Sequence, residues 1–252
     1  MSTQFIHDRA ERERVKADKE EKILSFLLDE TYSTSAIIAS LLNLTQTTAY
    51  RTLKKMEAND LVKMHSVGID LGRTGRQTIW GLTPTGALMA TDLNGDNFKV
   101  DFYEVGRVKS STMMHSLALQ RVKVIALATG WSEWKSSRKV QQMANGERKT
   151  WLQIPDALAI SPKGRLTAVE LERTVKTPKR YNEILSNYAT MISDNTVTEV
   201  IYICPEKIAP RLERLFSEIK KIVVNKKTYD VPESLLKRFK FITYDDWEKQ
   251  EC

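Results

Sequence analysis

Cysteine is nearly missing from this 252-residue chain, which holds only Cys204 and Cys252. One thiol in an apolar run and one at the extreme end make neither a disulfide framework nor a metal-ligand spacing, so a reducing cytoplasm is the expected setting. Histidine is almost as scarce. His7, His65 and His115 fall in separate segments, which excludes a three-histidine metal site serving a tyrosine nucleophile. Long apolar runs are missing too: nothing approaches the roughly 20 residues that span a bilayer. The opening residues pass quickly into charges, unlike the apolar core of a signal segment. Membrane insertion is therefore not expected, and no internal repeat organises the chain.

With 41% hydrophobic residues over this length, the chain can bury substantial cores and is expected to hold two domains. Residues 1–19 read as a charged arm or solvated helix of alternating sign, for which a lead-in is favoured over a dimerisation element. Residues 20–95 have the pattern of a small helical DNA reader. Ile23, Leu24, Phe26, Leu27 and Leu28 form one apolar helix, Ser33, Thr34 and Ser35 cap a second, and Thr45 caps a third. In the third helix Ala49, Leu53 and Met56 face inward. Its outward side carries Gln46, Thr47, Tyr50, Arg51, Lys54 and Lys55, side chains suited to base edges and phosphates. Two strands follow, over residues 61–66 and 78–82, joined by a loop holding Arg73 and Arg76. Such a hairpin is a wing, whose arginines suit a minor groove or the backbone. Thr83 and Pro84 open a closing helix, and a linker is expected at residues 94–97.

The remaining residues, 96–252, carry the chemistry. Pro155 and Asp156 open an apolar strand, residues 161–164 supply a turn, and residues 166–172 return with Glu170 and Glu172 on one face, alpha carbons about 6.6 Å apart. From Arg107 to Arg180 there are 15 Lys or Arg and 5 Asp or Glu, and Asp156, Glu170 and Glu172 are three of those five. A small acidic centre in a basic field is what cutting a polyanion requires: cations hold phosphates, and carboxylates hold a hard ion such as Mg²⁺ or Mn²⁺. Taken singly, each acid reads more readily as a salt-bridge partner on a solvated hairpin. Around this centre the pattern predicts a helix over 116–129, an aromatic strand at 131–135, a basic loop over 136–150 and a helix over 181–193. A buried strand at 199–204, a helix over 205–221 and a final strand at 239–243 complete an α/β sandwich. Arg148, Lys149, Arg173, Lys179 and Arg180 are candidate DNA contacts. Trp131, Trp134 and Trp151 read as core, with Trp151 also placed to stack an unpaired base.

His115 and the apolar residues after it, Pro155 with Asp156, the run Glu170 to Thr174, and the trailing Lys176, Tyr181 and Tyr188 resemble the PD-(D/E)xK nuclease domain of the replication-relaxation superfamily, in its MobC-type plasmid relaxases. The resemblance covers nearly the whole chain. It implies an α/β (α+β) protein in which a winged helix precedes a restriction-endonuclease-like domain with a central mixed sheet. It also implies strand-specific nicking at a plasmid transfer origin with Mg²⁺ or Mn²⁺, and partnership with relaxosome accessory and coupling proteins of a conjugative secretion system. Asp156, Glu170 and Glu172 would then be metal-binding and catalytic acids, with His115 auxiliary.

The chain departs from the general motif at Glu172, which occupies the slot of a lysine. A carboxylate there would act as general base or as a further metal ligand, and Arg173 or Lys176 would supply the missing cation. Tyr181 and Tyr188, seven apart on one helical face, read as packing on the sheet. Two other functions stay open: a non-catalytic winged-helix replication or transcription regulator with a degenerate nuclease fold, and a restriction or transposon-end enzyme that cuts both strands. A homodimer is left open as well.

Overall fold

The structure is a computed structural model, and it describes residues 8–70, 74–94, 102–104, 106, 108–145, 151–224 and 227–249. The chain divides into two compact units, residues 1–124 and 125–252. Among the described residues no helix is long and apolar enough to cross a membrane.

In the first unit, Asp8 caps α1 (Arg9–Glu30) by accepting from the Ala10 N–H at 3.0 Å. The charged opening and the first apolar segment are therefore one 22-residue helix. Its front half carries surface pairs such as Arg14 with Glu11, while Ile23, Leu24, Phe26 and Leu27 are buried. After β1 (Tyr32–Ser33), Thr34 caps α2 (Ser35–Leu41) and Thr45 caps α3 (Gln46–Ala58), each through its hydroxyl. Ser33, expected beside Thr34 in the cap, belongs instead to β1, where it pairs with Trp80.

The wing is longer than its hydrophobic pattern predicts. β2 (Val62–Asp70) and β3 (Thr74–Leu82) pair antiparallel over nine residues each, and β1 completes a sheet of order β1-β3-β2. Polar residues such as Ser66, Gln77 and Thr78 are tolerated because a wing extends into solvent and its ladder is held by backbone bonds. α4 (Pro84–Asn94) then begins against the carbonyl of Leu61. A Cβ added at Gly86 would lie 1.8 Å from that oxygen, so the approach requires glycine.

The linker expected after Asn94 falls at 95–97, outside the described residues. The first unit does not stop there. α5 (Ser110–Ala128) sends Met113, Leu117 and Val124 into the same core as α1 to α4. Its Lys123, only 7% exposed at the side chain, bonds Glu30 at 2.7 Å and Asp29 at 3.4 Å. Burial alone would lower the Lys123 pKa, but the two carboxylates hold it above its ordinary value.

The second unit is a mixed α/β layer. Its strands are β4 (Ser132–Ser136), β5 (Ala157–Ile160), β6 (Leu166–Leu171), β7 (Glu199–Cys204) and β10 (Phe239–Thr243). They form one sheet of order β10-β7-β6-β5-β4, antiparallel from β4 to β6 and parallel from β6 to β10. Gly164, at φ 71°, closes the β5–β6 turn. The parallel strands require crossovers, supplied by α7 (Pro178–Ser193) and α8 (Ala209–Glu218). These helices share an aromatic core in which Phe216 meets Tyr181, Tyr202, Phe239 and Phe241.

Three features depart from the sequence reading. Residues 137–144 form α6 (Ser137–Ala144) where a basic loop is expected, because Val140 and Ala144, four apart, bury one face against the sheet. Helix α8 is shorter than the span 205–221 and gives way to the hairpin β8 (Lys221–Val224) and β9 (Lys227–Asp230). Short α9 (Glu233–Leu236) and α10 (Tyr244–Glu248) complete the described chain.

Candidate active site and nucleic-acid interface

The ladder between β5 and β6 pairs Ala157 with Val169, so Asp156, one residue earlier, stands opposite Glu170. The Asp156 carboxylate accepts from the Leu171 N–H at 2.8 Å. Glu170 points beneath α7, where the Tyr188 hydroxyl donates to it and the Gln153 amide approaches at 3.4 Å. Its pKa is raised to about 8, first by loss of water around the carboxyl and then by the negative charge of Asp156. The Lys176 cation lies near enough to oppose that rise.

Glu172 extends the β6–β7 pairing by one bond, from its N–H to the Ile203 carbonyl at 3.0 Å, and is only 5% exposed. It is held by an ion pair with Lys176 and by the Tyr181 hydroxyl at 3.2 Å. The same phenol oxygen accepts from the Lys176 backbone N–H at 2.9 Å, fixing the segment before Thr177 caps α7. Tyr181 and Tyr188 thus pack on the sheet and also secure one acid each. Their seven-residue spacing against two acids on one strand face is the signal in the sequence for this arrangement.

Tyr202, opposite Glu170 in the β6–β7 register, is 1% exposed, and its hydroxyl has no hydrogen-bond partner among the described residues. Its pKa stands well above the ordinary phenol value, mainly through burial and then through the charges of Glu170 and Glu172. Cys204 is pushed up to about 12 by burial and by Glu172.

Asp156 and Lys176 are therefore both within electrostatic reach of Glu170, and Glu172 is paired with Lys176. The three acids are not equivalent, however. Among the described residues no three of His, Cys, Asp and Glu are grouped closely enough to hold one metal ion. The expected three-acid set resolves into a facing pair, Asp156 with Glu170, and a third acid, Glu172, committed to Lys176. The reason is geometric: alternation puts both glutamates on one face, but α7 supplies a separate partner for each. His115 lies half-buried on α5 in the first unit, whereas the acids belong to the second.

Arg173 and Lys179 are exposed, and Arg180 is exposed but paired with Glu183 at 3.1 Å. Arg148 and Lys149 lie outside the described residues, as does Arg73. Trp131 and Trp134 are buried, the former against Trp247, and Trp151 packs half-buried on the second core.

On the first unit, Ala49, Leu53 and Met56 have no exposed surface, while Gln46, Thr47, Tyr50, Arg51, Lys54 and Lys55 all face solvent. Tyr50 rests edge-on against Trp80, with ring centroids 5.8 Å apart. Lys54 pairs with Glu57, which also accepts from the Met64 N–H and so ties α3 to the wing. Arg76, expected in the loop, stands within β3 opposite Gly68. Its guanidinium donates to the Ser66 hydroxyl at 2.8 Å.

The family model described as Replication-relaxation matches residues 24–201, more than two thirds of the chain. The chain belongs to the replication-relaxation family. No curated protein sequence matches this family member. Among solved structures, an apo double mutant of ZitR from Lactococcus lactis is 24% identical, covering 34% of this chain and 61% of its own, with a TM-score of 0.27. A mutant of MepR from S. aureus is 15% identical, covering 58% of this chain and 96% of its own, with a TM-score of 0.26. This replication-relaxation chain spans about three fifths of the length of the ZitR structures it matches. With TM-scores this low, neither likeness bears on what it does.

Proposed function

We propose that this replication-relaxation protein is a divalent-metal-dependent DNA endonuclease that nicks one strand at a plasmid transfer origin to start mobilisation. On this reading the winged helix selects the site through α3 and the wing, and the second unit, read as a PD-(D/E)xK-type nuclease, cuts. The observation that carries the proposal is the Asp156–Glu170 pair, two carboxylates facing each other on adjacent strands with Lys176 close by.

The donor set fits a hard cation. Mg²⁺ is commonly bound by one or two carboxylates together with substrate phosphates, so the pair suffices and Glu172 need not be a ligand. The partnerless hydroxyl of buried Tyr202 beside Glu170 also fits a centre completed by a further polar species. Bound there, Mg²⁺ or Mn²⁺ would supply Lewis-acid polarisation of the scissile phosphate and lower the pKa of water. Asp156 and Glu170 would hold the ion, and Tyr188 would orient Glu170. Lys176, kept in place by Glu172 and Tyr181, would offset charge developing on the phosphate. Arg173, Lys179 and Arg180 would grip the flanking backbone.

Relaxosome accessory and coupling proteins of a conjugative secretion system follow as partners on this reading, in the cytoplasm and without membrane insertion. The test is supercoiled DNA carrying the transfer origin, incubated with the protein and Mg²⁺ or Mn²⁺. Open circles with one mapped end are expected. Linear product would favour a double-strand endonuclease. No cleavage with any divalent ion, alongside retained binding, would favour a DNA-binding regulator.

A further inference from the structure

The first unit contains a cavity of about 700 Å³ outside the acidic site. Its size lies in the range of small-molecule sites, roughly 300–1,000 Å³. One wall is α5, where Met114, Leu117, Ala118 and Arg121 recur at the spacing of a single helical face. The other walls come from α2, from the start of α3 with Gln46 and Tyr50, and from the wing with Arg76 and Gln77.

Two features define what would fit. Among the described residues the lining carries two guanidinium groups, Arg76 and Arg121, and no Asp or Glu, so its field favours an anion. Arg76 uses its Nε and one terminal nitrogen on Ser66, and a guanidinium has five N–H donors, so it retains capacity for an anionic oxygen. Beside the cations stand the side-chain amide of Gln46, the phenol Tyr50, and the apolar flank of Met114, Leu117 and Ala118. An amide, a phenol and an apolar wall suit a nucleobase, and guanidinium groups suit its phosphate. Inorganic phosphate alone would leave most of the volume unused.

We propose that this cavity binds a nucleotide unit, with Arg121 and Arg76 on the phosphate and the Gln46 and Tyr50 side on the base. The unit has two sources: a free mononucleotide, or one nucleotide of DNA bound on the same face. Only the second rests on the proposed DNA-binding role of this unit. Because Gln46 and Tyr50 belong to both surfaces, a free nucleotide here would compete with DNA.

The test titrates the full chain with 2′-deoxyadenosine 5′-monophosphate, with inorganic phosphate as control, and separately with duplex DNA over a range of salt. Arg121 is the discriminating position, since it is exposed and lies outside α3 and the wing. A free-nucleotide site predicts one-to-one binding tighter than that of phosphate, weakened about tenfold in Arg121→Ala. Arg121→Lys should restore part of it, and Ala118→Trp should block the cavity without changing charge. A DNA-derived nucleotide predicts no binding of the free monophosphate, but a loss of DNA affinity in Arg121→Ala with the salt slope reduced by about one. Either pattern, with thermal melts matching wild type, supports the site. Unchanged nucleotide and DNA binding in both Arg121→Ala and Ala118→Trp overturns it, as does a wild type that binds neither. Nicking activity enters neither readout, so failure of the nuclease reading remains distinct.

Discussion

In the first unit the polar side of α3 stands in water, with Gln46, Thr47, Arg51 and Lys55 exposed, whereas in the second Glu170 and Glu172 are turned beneath α7 and each is met by a tyrosine. The contrast teaches where charge costs free energy. An exposed cation on a helix is solvated at little cost and is available to a polyanion. A carboxylate under a helix must be paired, protonated or joined to a cation. Glu170 is held largely in its protonated form at neutral pH, and Glu172 is held by Lys176, so adjacent acids on one strand meet their desolvation in different ways.

The largest expected effect comes from removing the facing pair of acids. Asp156→Ala or Glu170→Ala should lower nicking at least a hundredfold while leaving binding of origin DNA unchanged by gel shift. Loss of binding to the same extent would mean that the two units do not divide the work.

A second effect sharpens the contrast from within the first unit, which also has buried charge. Lys123 is nearly enclosed against Glu30 and Asp29. Lys123→Ala should destabilise by about 3 kcal/mol, because it leaves carboxylates buried without their cation. Urea unfolding measures this. The comparable centre of the second unit, Glu199 with Arg165 and Lys240, has partners exposed by 46% and 39%. Glu199→Gln should therefore cost less, about 1 kcal/mol.

The third prediction concerns pH. The folded-state pKa of Glu170 is raised to about 8, so between its unfolded value and that pKa the folded state binds the extra proton. Its contribution to stability is full below the unfolded pKa and is lost as pH rises through about 8. Glu170→Gln, neutral throughout, should remove this part of the decline. The difference in melting temperature between variant and wild type should thus move in the variant's favour from pH 5 to pH 9. Divalent-ion affinity at the pair should rise over the upper part of the same window, since binding requires the deprotonated acid. A wild type and a Glu170→Gln variant with parallel pH profiles would refute the shift.

The smallest expected effect lies on α3. Lys55→Ala should change stability by less than about 0.5 kcal/mol and reduce the salt slope of DNA binding by about one. Lys54, already paired with Glu57, should contribute less to that slope than Lys55. Equal slopes for the two variants would show that the pair opens on binding.

Much of the fold is legible in the residues because its signals are local. Thr45 with Ala49, Leu53 and Met56 specifies α3, and the apolar runs at 199–204 and 239–243 coincide with β7 and β10. The reading falls short where the deciding partner is distant. Residues 137–144 are basic and polar, and they form a helix because Val140 and Ala144 have a sheet to cover. Arg76 reads as a loop residue until Ser66 is seen across the ladder. α5 counts with the first unit because Met113 and Leu117 find its core, which a linker-based division at 95 could not register.

Local spacing fixes the caps at Thr34 and Thr45, the inward faces and the alternation that sets Glu170 and Glu172 on one side, and composition fixes the basic surroundings of these acids. All of these depend on spacings of a few residues and on composition. Packing alone sets Asp156 against Glu170 and gives Glu172 to Lys176 and Tyr181. Periodicity fixes the face on which a side chain lies, but its partner, its contact with water and its protonation depend on the element packed over that face.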